Sequence, residues 1–547
     1  MEPRYTFSPL LRVLAACSGC AYTVLLMQTD SKLSFLVTAL LSLGLLFYLL
    51  FRKKLLEQLL TPKARWVYPV AAVLSLSAVY TAKSTFFTTC KGWMGKAIGW
   101  AGLPGVTLRL IPWIVALAAL PMAFCYFLWF VGFMGDVILR LWRESDFTER
   151  LFFLSAGLLL AMLVVFSYVC TQAFFGADLN GRRYDFDLIY SADSGYLVRQ
   201  DVFRNVGANQ NDLRQPLYGL FAMPFAQAAW LLSRLLFFLP NSYITLWQIV
   251  QNLLFLIALI LLSRMMELQG AEKAMFLCLL GVCWPTWIFA LTAEQYLVAV
   301  FYLILLLYLR GDRRGQTVSF LGATGCLLTS GIWFPVVTWD RDWKQFVKKT
   351  FSLCGVFFAV TILCGRLTTF LDLPEYFAGF GYYSGADVAP AQKLMQYVAF
   401  AGSCFLAPPS GPDFTTYRHV SWQMLPVSSW SPLGITALIL TLAGILLTRR
   451  DRLTKLAAVW IGFSLLLLGI VGWGTVDNGL LLYSLYFGWA FVCMVFRLLD
   501  RALSRYRTVK LGLLLLLILG LAVWNIYALR DVLIFGSKYY PALGGAA

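Results

Sequence analysis

Three stretches of this sequence carry residues that could do chemistry. The first, Ser191–Phe203 ("SADSGYLVRQDVF"), sets Asp193, Tyr196 and Arg199 on successive turns of one short segment, with Asp201 beyond them. A carboxylate at a membrane–water boundary can serve as general base toward a hydroxyl within hydrogen-bond reach, provided it stays ionised. The same residues also fit a solvated acidic loop that caps a short helix from Tyr196. The second stretch, "NDLRQPLYGLFAMP", places Arg214 and Gln215 ahead of Pro216, Leu217 and Tyr218. Proline suits a first helical turn, so a plain helix start is an equally local reading. The third, "WPTWIFALTAEQYLVAVFYLILLLYLR", has Pro285 ending one helix and Glu294 opening the next. A carboxylate there is either a helix-dipole partner or an active-site group. The sole histidine, His419, is an ordinary loop residue or a site residue.

These residues sit in a chain that is mostly apolar. Of its 547 residues 60% are hydrophobic, and the mean hydropathy is +0.74. A water-soluble fold cannot bury that much apolar surface, so the bilayer must solvate much of it. Many apolar runs of about 16–24 residues match a hydrocarbon core about 30 Å thick. Backbone groups in lipid need partners within the segment, which selects helices; a barrel would show period-two alternation. The net charge of +17 does not indicate a nucleic-acid partner, because the basic residues cluster at the ends of apolar runs. The first run, near Leu10, lacks a small-residue cleavage site and reads as a membrane helix. The twelve cysteines lie mostly inside apolar runs. Cys17 and Cys20, though spaced C-x-x-C, read as small apolar residues of a spanning helix, and no zinc spacing occurs.

The expected fold is an all-α polytopic membrane protein. Runs at 10–27, 33–51, 66–80, 111–133 and 151–174 come first. Then follow 244–262, 274–289, 296–309, 351–367, 433–447, 456–471, 480–495 and 511–529. Arg52, Lys53, Lys54, Lys63, Arg65, Arg140, Arg143 and Arg150 mark the cytoplasmic side and put the N-terminus inside. Arg264, Lys273, Arg310, Arg341, Arg449 and Arg497 mark the same side later on. That alternation requires 216–239 to be an interfacial or re-entrant helix, with Arg234 in its middle, and 318–339 to be a short hairpin. The count is thirteen crossings plus the hairpin, with large outer loops at 176–241 and 371–432. The expected divisions are a four-helix N-terminal extension (1–135), a membrane core (136–371), a large outer loop (372–432) and C-terminal helices (433–547).

In the order outer acid, Pro-Leu-Tyr, second acid, the chain resembles the C-class (GT-C) glycosyltransferase superfamily. The likeness is to its branch of dolichyl-phosphate-mannose mannosyltransferases and aminoarabinose transferases. The matching residues are Asp193 with Tyr196, Gln215-Pro216-Leu217-Tyr218, and Glu294, and "LGATGCLLTSGIWFP" is similar to the family's glycine-containing hairpin. The match runs from about Arg150 to Leu371. Ser194 stands where the family has a second acid, and Gln215 where it has histidine.

The resemblance implies sugar transfer from a polyprenyl-phosphate-linked donor lipid to a glycan, lipid or protein acceptor, on the outer face of the plasma membrane and with inversion. Asp193 would be the base and Glu294 an orienting acid. Arg199 and Arg214, or others of Arg182, Arg183, Arg204, Lys393 and Arg418, would meet carrier phosphate. Tyr196, Gln215, Tyr218 and His419 would line the substrate site. Tyr382, Tyr383 and Trp422 would stack on sugar or belong to an interfacial belt, and Asp477 and Asn478 would line the cavity from the last outer loop. No cofactor is required, although a carboxylate pair could hold Mg²⁺ or Mn²⁺ with a thin ligand set. The alternatives are a transporter or flippase, for which helix count and the broken hairpin speak, and a non-catalytic glycan-assembly subunit, for which Ser194 and Gln215 speak.

Overall fold

The structure, a computed structural model, describes residues 7–27, 31–61, 63–102, 104–175, 188–208, 213–239, 241–371, 373–414, 419–476 and 479–542. Asp178, Arg182, Arg183, Asp185, Asp187, Arg418, Asp477 and Asn478 lie outside the described residues.

The chain is 77% helical. Its first helices are α1 (Pro9–Leu26), α2 (Lys32–Phe51), α3 (Leu55–Leu59), α4 (Val67–Trp100), α5 (Thr107–Glu144) and α6 (Phe147–Cys170). Next come α7 (Ser194–Gln200), α8 (Tyr218–Leu235), α9 (Ser242–Met265), α10 (Gly270–Val282), α11 (Trp284–Leu291) and α12 (Tyr296–Tyr308). Then follow α13 (Arg313–Cys326), α14 (Phe334–Thr338), α15 (Trp343–Leu363), α16 (Thr368–Leu371), α17 (Leu373–Tyr383) and α18 (Pro390–Ser403). The last are α19 (Pro432–Thr448), α20 (Arg452–Ser464), α21 (Ser484–Ala502) and α22 (Arg507–Tyr539).

Among the described residues ten helices are long and apolar enough to cross a membrane, or eleven if α10 and α11, bent by 55° at their junction, form one span. This is a multi-pass helical membrane protein. The two other runs expected to cross, α12 and α19, are apolar helices of 13 and 17 residues. Beside the helices, the described residues hold one small β element. Strands β1 (Ser410–Asp413) and β2 (Ser421–Met424) form an antiparallel hairpin, with Ser410 opposite Met424.

The chain divides into two compact units. One comprises Met1–Ser145, Gln200–Leu235 and Gly311–Leu373; the other comprises Asp146–Arg199, Leu236–Arg310 and Pro374–Ala547.

In the first unit α1 packs on α2 and α5, and α4 on α5. Thr23 donates to the Leu363 carbonyl (2.8 Å), and Gly365, at φ +72°, lets Met27 approach, so the C-terminal ends of α1 and α15 lie together. The run 216–239 is helical as α8, and it is well packed. Gln227 accepts from Ser77 (2.6 Å), and Tyr126 donates to the Leu220 carbonyl (2.6 Å). Arg234 is not at mid-helix. It lies exposed from the rest of the protein in the last turn, its guanidinium 4.5 Å from the Trp230 ring centre.

In the second unit one end is laced by ion pairs. Glu149, 1% exposed at the start of α6, takes Arg264 from the end of α9 (2.6 Å) and Lys273 from the start of α10 (2.9 Å). Lys510, opening α22, bridges Glu272 (2.5 Å) and Asp500 (2.8 Å). Asp146 caps α6. Burial alone would raise its carboxyl, but the Lys273 ammonium and the Glu149 N–H outweigh it and hold it below the usual range. The opposite end joins the last residues of α6 and α22, where Thr171 donates to the Tyr540 carbonyl (2.9 Å).

Candidate functional site

The expected site residues fall in both units. Asp193, Tyr196, Arg199, Glu294 and His419 belong to the second; Arg214, Gln215 and Tyr218 belong to the first.

Asp193 is half-buried and immediately precedes α7. Its carbonyl accepts from the Leu197 N–H (2.9 Å), which starts that helix. Tyr196 is half-buried one turn on, and Arg199 is exposed in the last turn. The approach to Asp193 is conformationally costly. Tyr190 (φ 53°) and Ser191 (φ 58°) are both left-handed, a geometry that costs a non-glycine residue about 1–2 kcal/mol. Neighbouring bonds hold it. The Tyr190 N–H donates to the Trp422 carbonyl and the Trp422 N–H to the Leu188 carbonyl (2.8 Å each). The Trp422 indole donates to the Tyr190 hydroxyl (3.1 Å), which lies 3.0 Å from Ser410 Oγ. Backbone strain of this kind persists only where the surroundings over-determine it, and it concentrates at functional sites.

Glu294 is fully buried, in the unwound segment between α11 and α12. Such a break leaves carbonyls at the end of α11 without helical partners, which is tolerated at membrane depth only when protein supplies them. Here α9 supplies them. Gln248 donates to the Leu291 carbonyl (2.5 Å), Gln251 to Thr292 (3.2 Å) and Asn252 to Ala290 (3.2 Å). Positions 248, 251 and 252 share one helical face. The other break, between α10 and α11, is held from α22. Asn525 donates to the carbonyls of Val282 (2.8 Å) and Phe405 (3.0 Å) and accepts from the Ala407 N–H (2.9 Å). Short α11 is therefore fixed at both ends by side-chain amides. Its first residue, Trp284, makes an edge contact with Tyr190 at 6.1 Å, so α11 and the segment leading to Asp193 pack together.

The sequence reading missed these four amides. Their signal was present: polar residues at i, i+3 and i+4 in an apolar span, and a lone Asn in the middle of another.

His419 is half-buried, one residue before Val420, whose carbonyl accepts from Tyr540 Oη (2.5 Å). Ser194, at the position of the family's second acid, is 5% exposed, and its hydroxyl has no hydrogen-bond partner among the described residues. A carboxylate there would be buried. Lys393 serves the backbone, donating to the carbonyls of Ser384 (2.8 Å) and Val471 (3.0 Å). Tyr382 and Tyr383 are exposed, and Tyr383 stacks at a tilt on Trp473. Asp201 pairs with Arg204 (2.5 Å). Among the described residues no three His, Cys, Asp or Glu side chains gather closely enough to hold a metal ion.

In the first unit, two stretches that carry the family likeness meet. The Leu217 N–H donates to the Gly325 carbonyl and the Leu328 N–H to the Arg214 carbonyl (2.9 Å each). Gln215 and Tyr218 are buried beside this junction, at 2% and 0% exposure. The hairpin expected at 318–339 breaks at Leu327, which is extended, and continues as a 3₁₀ turn (Leu328–Trp333) and α14. Gly325 makes the junction possible, because a Cβ there would lie 2.5 Å from Leu217 Cβ. Gly325→Val should therefore lower the thermal midpoint in detergent by an amount typical of overpacking, about 1–3 kcal/mol. An unchanged midpoint would show that the contact yields freely.

No protein-family model matches this chain, and neither a curated protein nor a solved structure matches it. Fold and site together define a multi-pass helical membrane protein with a buried carboxyl at an amide-held helix break.

Proposed function

We propose that the chain is a glycosyltransferase that moves a sugar from a polyprenyl-phosphate-linked donor to an acceptor hydroxyl on the outer face of the plasma membrane. The observation that carries this reading is Glu294. A carboxyl fully buried at an unwound break inside a membrane protein is costly, and such groups mark functional sites. The Asp193 segment, strained and tied to α11 through Tyr190, adds the second acid.

In this reading Asp193 takes the acceptor's hydroxyl proton as that oxygen attacks the anomeric carbon. The bond from that carbon to the phosphate oxygen breaks, the electron pair leaves on the phosphate, and the configuration inverts. Arg199 offsets the phosphate charge, Glu294 orients the reacting groups, and Tyr196 and His419 contact substrate. The topology is thirteen crossings with the N-terminus cytoplasmic. The ion-paired end of the second unit supports that orientation, since its Arg264, Lys273 and Lys510 would then face the cytoplasm.

Purified protein in liposomes should transfer label from a radiolabelled polyprenyl-phosphate sugar to an acceptor glycan, lipid or peptide. No transfer across a panel of sugars and acceptors would retire the reading. The bend between α10 and α11 favours a second one, since discontinuous helices build many transport sites. Accumulation of intact lipid-linked sugar in the opposite leaflet, without hydrolysis or transfer, would identify a flippase.

A further inference from the structure

The amides that hold the break beside Glu294 have a second end. Gln248, Gln251 and Asn252 are buried, and each spends its NH₂ group on a backbone carbonyl, of Leu291, Thr292 and Ala290 in turn. A carbonyl accepts and cannot donate, so these bonds fix which end of each amide is nitrogen and which is oxygen. The oxygens that remain, Gln248 Oε1, Gln251 Oε1 and Asn252 Oδ1, are sealed from solvent and have no hydrogen-bond partner among the described residues. A buried acceptor is costly to leave unpaired, and here three share one face of α9.

Their nitrogens reach three consecutive carbonyls, so the oxygens, each in the same amide plane as its nitrogen, gather around that one turn. Glu294 lies beside them. Its N–H donates to the Thr292 carbonyl (3.0 Å), the same oxygen that Gln251 Nε2 reaches at 3.2 Å. All of these residues belong to the second unit.

The chemistry of this set selects its occupant. A sugar ring needs an open cleft, and the burial of these atoms excludes one; the occupant is ion-sized. A single water carries two hydrogens, too few for three amide oxygens and a carboxyl. A hard cation takes oxygen ligands of both kinds, and unwound helix breaks are where many membrane proteins hold Na⁺. One carboxylate balances a single positive charge. We propose that Gln248, Gln251, Asn252 and Glu294 bind one monovalent alkali cation, which closes the oxygen side of the break as the amide nitrogens close its carbonyl side. The inference rests on neither the transferase nor the flippase reading, and its test measures no transfer.

The full-length protein in detergent is titrated with NaCl or KCl, with choline chloride holding the ionic strength constant. The thermal midpoint should rise saturably with sodium or potassium and not with choline, because an ion that binds only the folded state stabilises it. Radioactive sodium should bind at one ion per chain. Equal midpoints in all three salts overturn the proposal without recourse to a variant. Glu294→Gln keeps the side-chain size and removes the charge, and it should bind sodium at least about tenfold more weakly. Gln251→Lys keeps a donor for the Thr292 carbonyl and sets a fixed ammonium in the place of the ion, so its midpoint should no longer respond to sodium. Should the lysine variant not fold, Glu294→Gln decides alone. A response of wild-type size in Glu294→Gln would place the ion elsewhere and reject the site. Stabilisation by millimolar MgCl₂ and not by sodium or potassium would assign the oxygens to a divalent ion and reject the proposal as well.

Discussion

Asp193→Asn is expected to lower kcat/KM for sugar transfer by about 10²–10⁴-fold, the usual worth of a positioned general base. The substitution keeps side-chain size and removes the negative charge together with the ability to take a proton. The bond from the Leu197 N–H to the residue 193 backbone carbonyl, which starts α7, remains available in the variant. Two readouts separate a base from a structural acid. The acidic limb of the pH profile of kcat/KM should vanish in the variant, because that limb reports protonation of the base. Binding of the labelled donor should persist, because the donor supplies no proton to Asp193. A variant that transfers sugar at the wild-type rate would sink the mechanism. One that loses donor binding and transfer together would make Asp193 a binding residue.

Asn525→Leu should be among the most destabilising single changes in the second unit. The side chain is fully buried at mid-helix in α22 and makes three hydrogen bonds to backbone groups. Leucine fills similar volume but leaves the Ala407 N–H and the Val282 carbonyl without this partner, each at a cost of about 1–3 kcal/mol. The Phe405 carbonyl keeps its bond from the Trp284 N–H (3.0 Å). The expected loss is thus about 2–6 kcal/mol, read as a lower thermal midpoint in detergent. Asn525→Asp retains an acceptor for Ala407 but sets a buried carboxylate against the two carbonyl oxygens, and it should be at least as destabilising as leucine. If leucine were harmless, the bend between α10 and α11 would owe nothing to α22.

Much of the helical layout was legible because apolarity and helix coincide in lipid. The run 33–51 became α2 at Lys32–Phe51, and 10–27 became α1 at Pro9–Leu26. Where the two part, the reading slipped. The third run was ended at Tyr80, ahead of Lys83, yet α4 continues to Trp100, because Lys83 settles over two aromatic rings and the backbone never needed apolar side chains to stay helical. The run 296–309 reads as a spanning helix. As α12 it is buried from Tyr296 to Leu307, and hydropathy does not distinguish a lipid neighbour from a protein one. At the site, a short helix after Asp193 was foreseen. The left-handed pair before it was not, because neither Tyr nor Ser favours that geometry and it is held in part by partners more than 200 residues away. Lys393, one of several outer-loop cations that carrier phosphate could meet, donates to two carbonyls, a role its sequence neighbours do not disclose.

The two locks on α11 also differ in when synthesis can close them. Gln248, Gln251 and Asn252 leave the ribosome before the carbonyls they bind, so the break beside Glu294 can set as soon as α11 is beside α9. Asn525 is made more than 200 residues after Val282. Until α22 arrives, α11 has only one of its two amide locks. Because chains fold from the N-terminus as they emerge, the last helix acts as a latch on a geometry begun much earlier, and a chain truncated before it would carry a Glu294 that is in place on a helix still free to straighten.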